Sequence, residues 1–308
     1  MVRVIRRGRQ TNMKEKVYGG IEAGGTKFVC ATGSGPEDIR AETRFPTTTP
    51  GETIGRAIEF FRGEMKKWEI GAVGIGSFGP LDLDPASPAY GYITTTPKED
   101  WANTDLAGTI QRALGAPVRI DTDVNAAALG EGKWGTARGL DTFIYLTVGT
   151  GIGGGGLVNG KPIHGLVHPE MGHIFVKHDR NTDVFKGCCP YHGDCWEGLA
   201  SGAAMEERWG KKAEELPDGH PGWALETEYL AAGIMNLIVT VSPQKVITGG
   251  GIMKKSGLIE SVRERVKELL NGYVAAAEIT ERIAEYIVLP GLGDRAGVLG
   301  AMAVGMGY

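Results

Sequence analysis

Several common features are missing from this 308-residue chain. No run approaches the roughly 18 consecutive apolar residues of a membrane-crossing helix. The start has no basic–apolar–small secretory pattern. Both point to a cytoplasmic protein that makes no membrane contact. Positive charge is not in excess: the formal net charge is −4, which argues against nucleic acid as the main partner. Cysteine is scarce, with four residues in all; three crowd into one segment with histidines, which in a reducing compartment suits a metal site better than a disulfide framework. There is also no G-x-x-x-x-G-K-S/T phosphate loop and no G-x-G-x-x-G that opens a helix with an acidic residue about 20 positions on.

Glycine, by contrast, is abundant. The chain has 49, about twice the usual share, clustered in short turns between apolar runs. Three of these turns follow strand-like segments: Glu22-Ala-Gly-Gly-Thr-Lys27, Thr147-Val-Gly-Thr-Gly-Ile-Gly-Gly-Gly155 and Thr248-Gly-Gly-Gly-Ile252. Glycine lets backbone N–H groups approach an anion and point at it, and a neighbouring Thr hydroxyl adds a donor. Phosphate binding is the chemistry that suits three such loops, with Gly24, Gly25, Thr26 and Lys27 in the first, Thr150, Gly151 and Gly153 in the second, and Gly249 and Gly250 in the third.

Strand-like and helix-like segments alternate, which implies mixed α/β sheets. The plan runs twice: a hairpin with a glycine turn, then helices and strands. Helices are expected over 104–114, from Val124 to Gly135, over 222–240, over 256–273 and in the closing AGVLGAMAVGM, and a last strand over 285–291. The expected organisation is a basic, unstructured extension over 1–16 ahead of a start at Met13, one α/β domain over 17–122, a second over 123–295, and the closing segment 296–308 packed back on the first. A cleft between the halves would sit near residue 122.

Asp121-Thr-Asp-Val-Asn125 ends a strand and opens a helix at that boundary. A carboxylate there would face the cleft and suit general-base work. Asp123 is the candidate, with a plain N-cap as its competing job. Asp121 lies on the same strand face, and spacing alone leaves it open. A second cluster is Cys188-Cys-Pro-Tyr-His192-Gly-Asp-Cys195. Cys189, His192 and Cys195 at two-residue intervals, with His173 from a distance, make a tetrahedral Cys₂His₂ zinc set with no position left for water. Cys188 is the rival to Cys189. His164 and His168 read as ordinary loop histidines.

The three glycine loops together resemble the actin-like sugar-kinase superfamily. More narrowly, Gly20–Phe28, Gly91–Lys98, His168-Pro-Glu-Met-Gly-His173 and Cys189–Cys195 resemble the ROK family, fructokinase branch, over 17–308. The resemblance implies a two-domain actin-like ATPase (ribonuclease H-like) fold with an interdomain cleft. It implies ATP with Mg²⁺, a structural Zn²⁺, a hexose acceptor with fructose favoured over mannose, glucose or N-acetylmannosamine, and a homodimer. It places the base at Asp123. It places sugar contacts at Gly79, Pro80, Lys98, Thr122, Glu170, His173 and Glu197. Glu22 stands where the superfamily has Asp. Thr122 stands where many relatives have Asn, which disfavours glucose. The non-enzymatic side of the family, sugar-responsive repressors, carries a DNA-binding domain ahead of the first loop, for which 16 residues are too few.

Overall fold

The computed structural model describes residues 16–307. The expectation for the basic extension therefore falls on residues outside the described ones, except Lys16, which opens the first strand. In chain order the elements are β1 (Lys16–Ala23), β2 (Lys27–Gly35), β3 (Asp38–Pro46), α1 (Pro50–Met65), β4 (Glu69–Ser77), the small hairpin β5 (Tyr92–Ile93) and β6 (Thr104–Asp105), α2 (Leu106–Leu114) and β7 (Val118–Thr122). There follow α3 (Asp123–Trp134), β8 (Phe143–Val148), β9 (Ile152–Val158), β10 (Lys161–Pro162), α4 (Trp196–Ala200), α5 (Gly202–Trp209), α6 (Gly222–Val241), β11 (Val246–Gly249), α7 (Leu258–Leu270), α8 (Ala277–Thr280), α9 (Ile283–Tyr286), β12 (Ile287–Val288) and α10 (Ala296–Met306).

The duplication is visible in the sheets. One has the order β3-β2-β1-β4-β7 and the other β10-β9-β8-β11-β12. In each, a hairpin pairs antiparallel and two later strands add in parallel to its first strand. Each sheet has its own core. Val17, Ile21, Phe28, Phe61, Ile75 and Trp101 cluster in the first, and Ile144, Leu146, Trp196, Ile234, Val246 and Val262 in the second.

Local chemistry sets the element ends. Asp105 caps α2 by accepting from Gly108 N–H at 2.9 Å, and Gly115 closes it in the left-handed region at φ 64°. The helix expected over 256–273 is shorter, because Gly257 precedes its start and Asn271, at φ 45°, ends it. The strand expected over 285–291 shrinks to two residues, since Ile283–Tyr286 is a helical turn and Pro290 has no N–H for a ladder. Helix α6 is 20 residues long and apolar enough to cross a membrane by length and composition. Here it packs against α7 and α4, and its Leu230, Ile234 and Leu237 lie in the second core.

Helix α10 leaves the second half of the chain and lies on the first sheet, against β1, β4 and α3. The contact is backbone on backbone. A β-carbon at Gly300 would collide with Ala126 O and Ala127 N of α3, and one at Gly74 would collide with Ala301 O and Gly305 N. Gly20 faces Val298 O and Met302 N in the same way. Helix α10 is thereby held, backbone to backbone, between the first sheet and the helix that begins at Asp123. Gly300→Ala is expected to destabilise the fold by about 1–3 kcal/mol, the usual range for an added methyl group in a tightly packed interior, and chemical denaturation measures this directly.

Candidate active site

Strand β7 passes into α3 with no loop. Thr122 caps the helix: its Oγ1 accepts from Asn125 N–H at 3.1 Å, and the residue is 5% exposed. The two aspartates flanking it then separate. Asp121 is fully buried. Its Oδ1 accepts from Thr122 N–H at 2.8 Å, from the Asn125 side-chain amide at 2.9 Å and from His164 Nε2 at 3.1 Å. That imidazole is held above its ordinary pKa, mainly by the bond to Asp121. Asn125 continues the network by accepting from Gly156 N–H at 3.0 Å. Asp121 is thus consumed in joining the start of α3 to the second sheet.

Asp123 is half-buried, and its carboxylate accepts from Val124 N–H at 2.9 Å. Burial pushes its pKa up to about 7, and the negative charges of Glu22 and Glu170 push the same way. Glu22 and Glu170 are also raised, in both cases chiefly by burial. Lys27 opposes the rise at Glu22, and Asp294 adds to it. The charges of Glu22 and Glu170 thus both act on Asp123, while Asp294 is exposed and paired with Lys254. A β-carbon at Gly297 would lie 2.5 Å from Glu22 Cδ, which brings the start of α10 to the first glycine loop.

The loops are built as follows. In the first, Gly24 N–H donates to Lys27 O at 3.0 Å and the Thr47 hydroxyl to Gly24 O at 2.6 Å; Gly25 is half-buried, and Thr26 and Lys27 are exposed. In the second, Gly149 O accepts from Gly202 N–H at 2.7 Å and Thr150 O from Ala203 N–H at 3.3 Å, so the loop rests on the start of α5. Gly153 faces Val124 of α3, where a β-carbon would lie 3.0 Å from Cγ1. In the third, Gly250 sits at φ 95° with no room for a side chain beside the backbone of Val148, while Gly249 lies against Tyr145 and Pro290. The second and third loops are neighbours through Val148.

Glu197 is the second residue of α4, two positions after the cap Cys195. Its Oε2 accepts from Ile152 N–H in the second glycine loop at 2.9 Å, and its Oε1 lies 4.0 Å from His173 Nε2. The other ring nitrogen of His173 points into the metal cluster: His173, Cys189, His192 and Cys195 bring one ligand atom each within 4.8 Å of one another. His173 Nδ1 is 3.7 Å from Cys189 Sγ and 3.5 Å from Cys195 Sγ, and His192 Nδ1 is 3.7 Å from Cys189 Sγ. A tetrahedral zinc with ordinary Zn–S and Zn–N lengths requires about 3.6 Å between such atoms, so the donor set fits. Cys188 is outside the cluster. The loop is braced from behind by a network in which Asp194 accepts from His178 at 3.0 Å and from the exposed Arg180 at 2.7 Å, and buried Asp183 accepts from Tyr229 OH at 2.6 Å.

Lys98 is drawn toward the first glycine loop, where Nζ donates to Thr47 O at 3.4 Å. Gly79 and Pro80 form a cis-proline turn at the end of β4. The two histidines read as ordinary loop residues are both engaged. His164 belongs to the Asp121 network, and His168, 5% exposed, accepts from Leu81 N–H at 3.0 Å. Their position in HGLVHPE, between β10 and the metal ligand His173, was the available signal.

This arrangement, two like sheets joined through α3 with glycine loops around carboxylates, is that of the two-domain actin-like ATPases. A ROK hexokinase from Thermus thermophilus superposes with a TM-score of 0.77 at 26% identity, over 94% of this chain and 98% of that one. The ROK family model matches residues 18–306, and the chain belongs to the ROK family. It is 49% identical to a fructokinase of Zymomonas mobilis subsp. mobilis over 95% of this chain and 97% of the relative. It is 46% identical to a putative fructokinase of Bacillus subtilis over 94% and 95%.

Two outcomes follow from this geometry. Cys189→Ser is expected to lose bound metal, and Cys188→Ser to keep it, as measured by elemental analysis of the purified protein. Asp123 carries a folded-state pKa above its unfolded value, so its ionisation opposes folding as pH rises from about 4 to about 7. Asp123→Asn is expected to raise thermal stability above pH 7, by at most about 4 kcal/mol, with no difference below pH 4.

Proposed function

We propose that this chain is an ATP-dependent hexose kinase that converts D-fructose to fructose 6-phosphate, with Asp123 as general base. The observation that carries the reading is the Asp123 carboxylate: half-buried, turned away from the Asp121 network, and raised to about 7. A base whose pKa lies near the working pH keeps a sizeable deprotonated fraction and accepts a proton readily. The relatives sharing nearly half their residues with this chain, along almost their whole lengths, support fructose as the sugar.

In this scheme the fructose 6-hydroxyl attacks the γ-phosphorus of ATP. Its oxygen gains the bond to phosphorus, the bond to the β–γ bridging oxygen breaks, ADP leaves, and the hydroxyl proton passes to Asp123. Gly24, Gly25, Thr26 and Lys27 face the phosphates from the first loop, Thr150, Gly151 and Gly153 from the second, and Gly249 and Gly250 take the nucleoside end. Mg²⁺, bound with ATP, would neutralise phosphate charge, and Glu22 is the side chain that would help to hold it. Gly79, Pro80, Lys98, Glu170, His173 and Glu197 surround the sugar, together with Thr122, whose hydroxyl oxygen serves the cap and whose proton is left to donate. The ion in the Cys₂His₂ set is proposed as zinc. With four protein ligands it has no open position, so it orders the loop that carries His173 and Glu197 and takes no chemical step. The halves 17–122, with 296–308, and 123–295 would close on the sugar to exclude water. The assembled form is proposed as a cytoplasmic homodimer, which sedimentation would check.

The test is ADP release with Mg-ATP across fructose, mannose, glucose and N-acetylmannosamine. Fructose is expected to give the highest kcat/KM, and Asp123→Asn to lower kcat by at least about 10³. Because the deprotonated carboxylate is the active form, kcat/KM of the wild type should rise with pH through about 7 and level off above it. A flat profile between pH 5.5 and 8.5 would exclude Asp123 as the base.

A further inference from the structure

The turn after β4, Phe78-Gly79-Pro80-Leu81, is pinned at several points. Phe78 N–H donates to Ala23 O at 2.8 Å, at the foot of the first glycine loop. Pro80 O accepts from Thr94 N–H at 2.8 Å and from the Thr94 hydroxyl at 3.0 Å. These partners precede α3 in the chain. Leu81 N–H, buried with its residue at 2% exposure, donates across to His168 Nε2 at 3.0 Å. Among the described residues, this is the hydrogen bond that ties the turn to a segment beyond α3.

To accept there, Nε2 must carry no proton, so the neutral ring keeps its proton on Nδ1. Burial, which holds His168 below its ordinary pKa, maintains that state. Nδ1 faces Pro169 O at 3.4 Å and Glu170 Oε1 at 3.5 Å. Gly79 lies on the same ring, where a β-carbon would be 3.3 Å from Cε1 and 3.4 Å from Nε2. One imidazole therefore touches the backbone turn on one edge and the Glu170 carboxylate on the other. The two are 89 positions apart in sequence as Leu81 and Glu170, and nothing else so small could fix their separation.

We propose that His168 is a positioning residue for the sugar: it joins the Gly79–Leu81 turn to Glu170, so that the two halves of the hexose site keep one geometry. The proposal rests on the reading that both segments face the hexose. A purely structural histidine would also satisfy the buried Leu81 N–H, whose loss of a partner is costly. It would affect stability, or both substrates alike. A positioning role instead affects the sugar and spares the nucleotide, whose loops His168 does not touch.

The experiment uses the full-length, metal-loaded protein with His168→Leu and His168→Gln. Leucine removes the acceptor, whereas glutamine can place its amide oxygen where Nε2 stood. His168→Leu is expected to raise KM for fructose at least about 10-fold while KM for ATP stays within about 2-fold. His168→Gln is expected to recover a threefold or greater part of that loss, with metal content unchanged in both. If KM for both substrates moves together, if glutamine is no better than leucine, or if neither variant differs from wild type, the inference is overturned. Should His168→Leu fail to fold, the glutamine variant alone decides, by whether fructose and ATP KM values part. Wild-type turnover is the control that separates the two readings. With another hexose preferred, the same comparison is run on that sugar. A wild type that phosphorylates no hexose overturns the kinase reading and this inference together.

Discussion

The contact that organises this molecule is the close approach of α10 to β1, β4 and α3. At Gly20, Gly74 and Gly300 no β-carbon fits, because backbone atoms of the opposite element already occupy the place. Interiors packed to this density transmit displacement instead of absorbing it. Asp123 stands at the first turn of α3, on one side of α10, and Glu22 at the end of the strand that α10 covers on the other, beside Gly297. The end of the chain thereby fixes the separation between the first glycine loop and the candidate base.

Electrostatics explain the character of the site. Asp121 and Asp123 differ by two positions, yet their surroundings assign them opposite work. Asp121 receives three donors, a backbone N–H, an amide and an imidazole, and behaves as a joint between sheets. Asp123 receives one, from its own helix, and is left with the burial penalty and the fields of Glu22 and Glu170. A carboxyl group in that position resists ionisation until a cation or a hydrogen-bond donor arrives. The first glycine loop, with Lys27 beside Glu22, supplies the opposing charge to that arrangement.

The metal loop joins this centre through single contacts. His173 gives one nitrogen to the Cys₂His₂ set and turns the other toward Glu197, whose carboxylate holds Ile152 N–H in the second glycine loop. The Cys₂His₂ set is thus linked to the second glycine loop in two steps. Behind the loop, Asp194 accepts from His178 and Arg180, and Asp183 from Tyr229, which ties residues 178–194 to α6.

Much of this was legible in the residues alone. The glycine turns, the doubled order of segments, the helix opened at Val124 and the spacing of Cys189, His192 and Cys195 are local signals. Each depends on the conformation of a few neighbouring residues. Periodicity could not separate Asp121 from Asp123, or Cys188 from Cys189, because each pair is close in sequence and the choice depends on partners 16 to 43 positions away, namely His164 for Asp121 and His173 for Cys189. The short β12 was overcalled because an apolar run does not reveal the helical turn that precedes it. His168 passed as a loop residue because its role exists only where Leu81 meets it. The sequence by itself determined which chemistries were present, since side-chain type and local spacing set donor, acceptor and ligand capacity. Only the tertiary structure decided which of those groups face one another, because burial and long-range contact, not composition, set whether a carboxylate is a joint or a base.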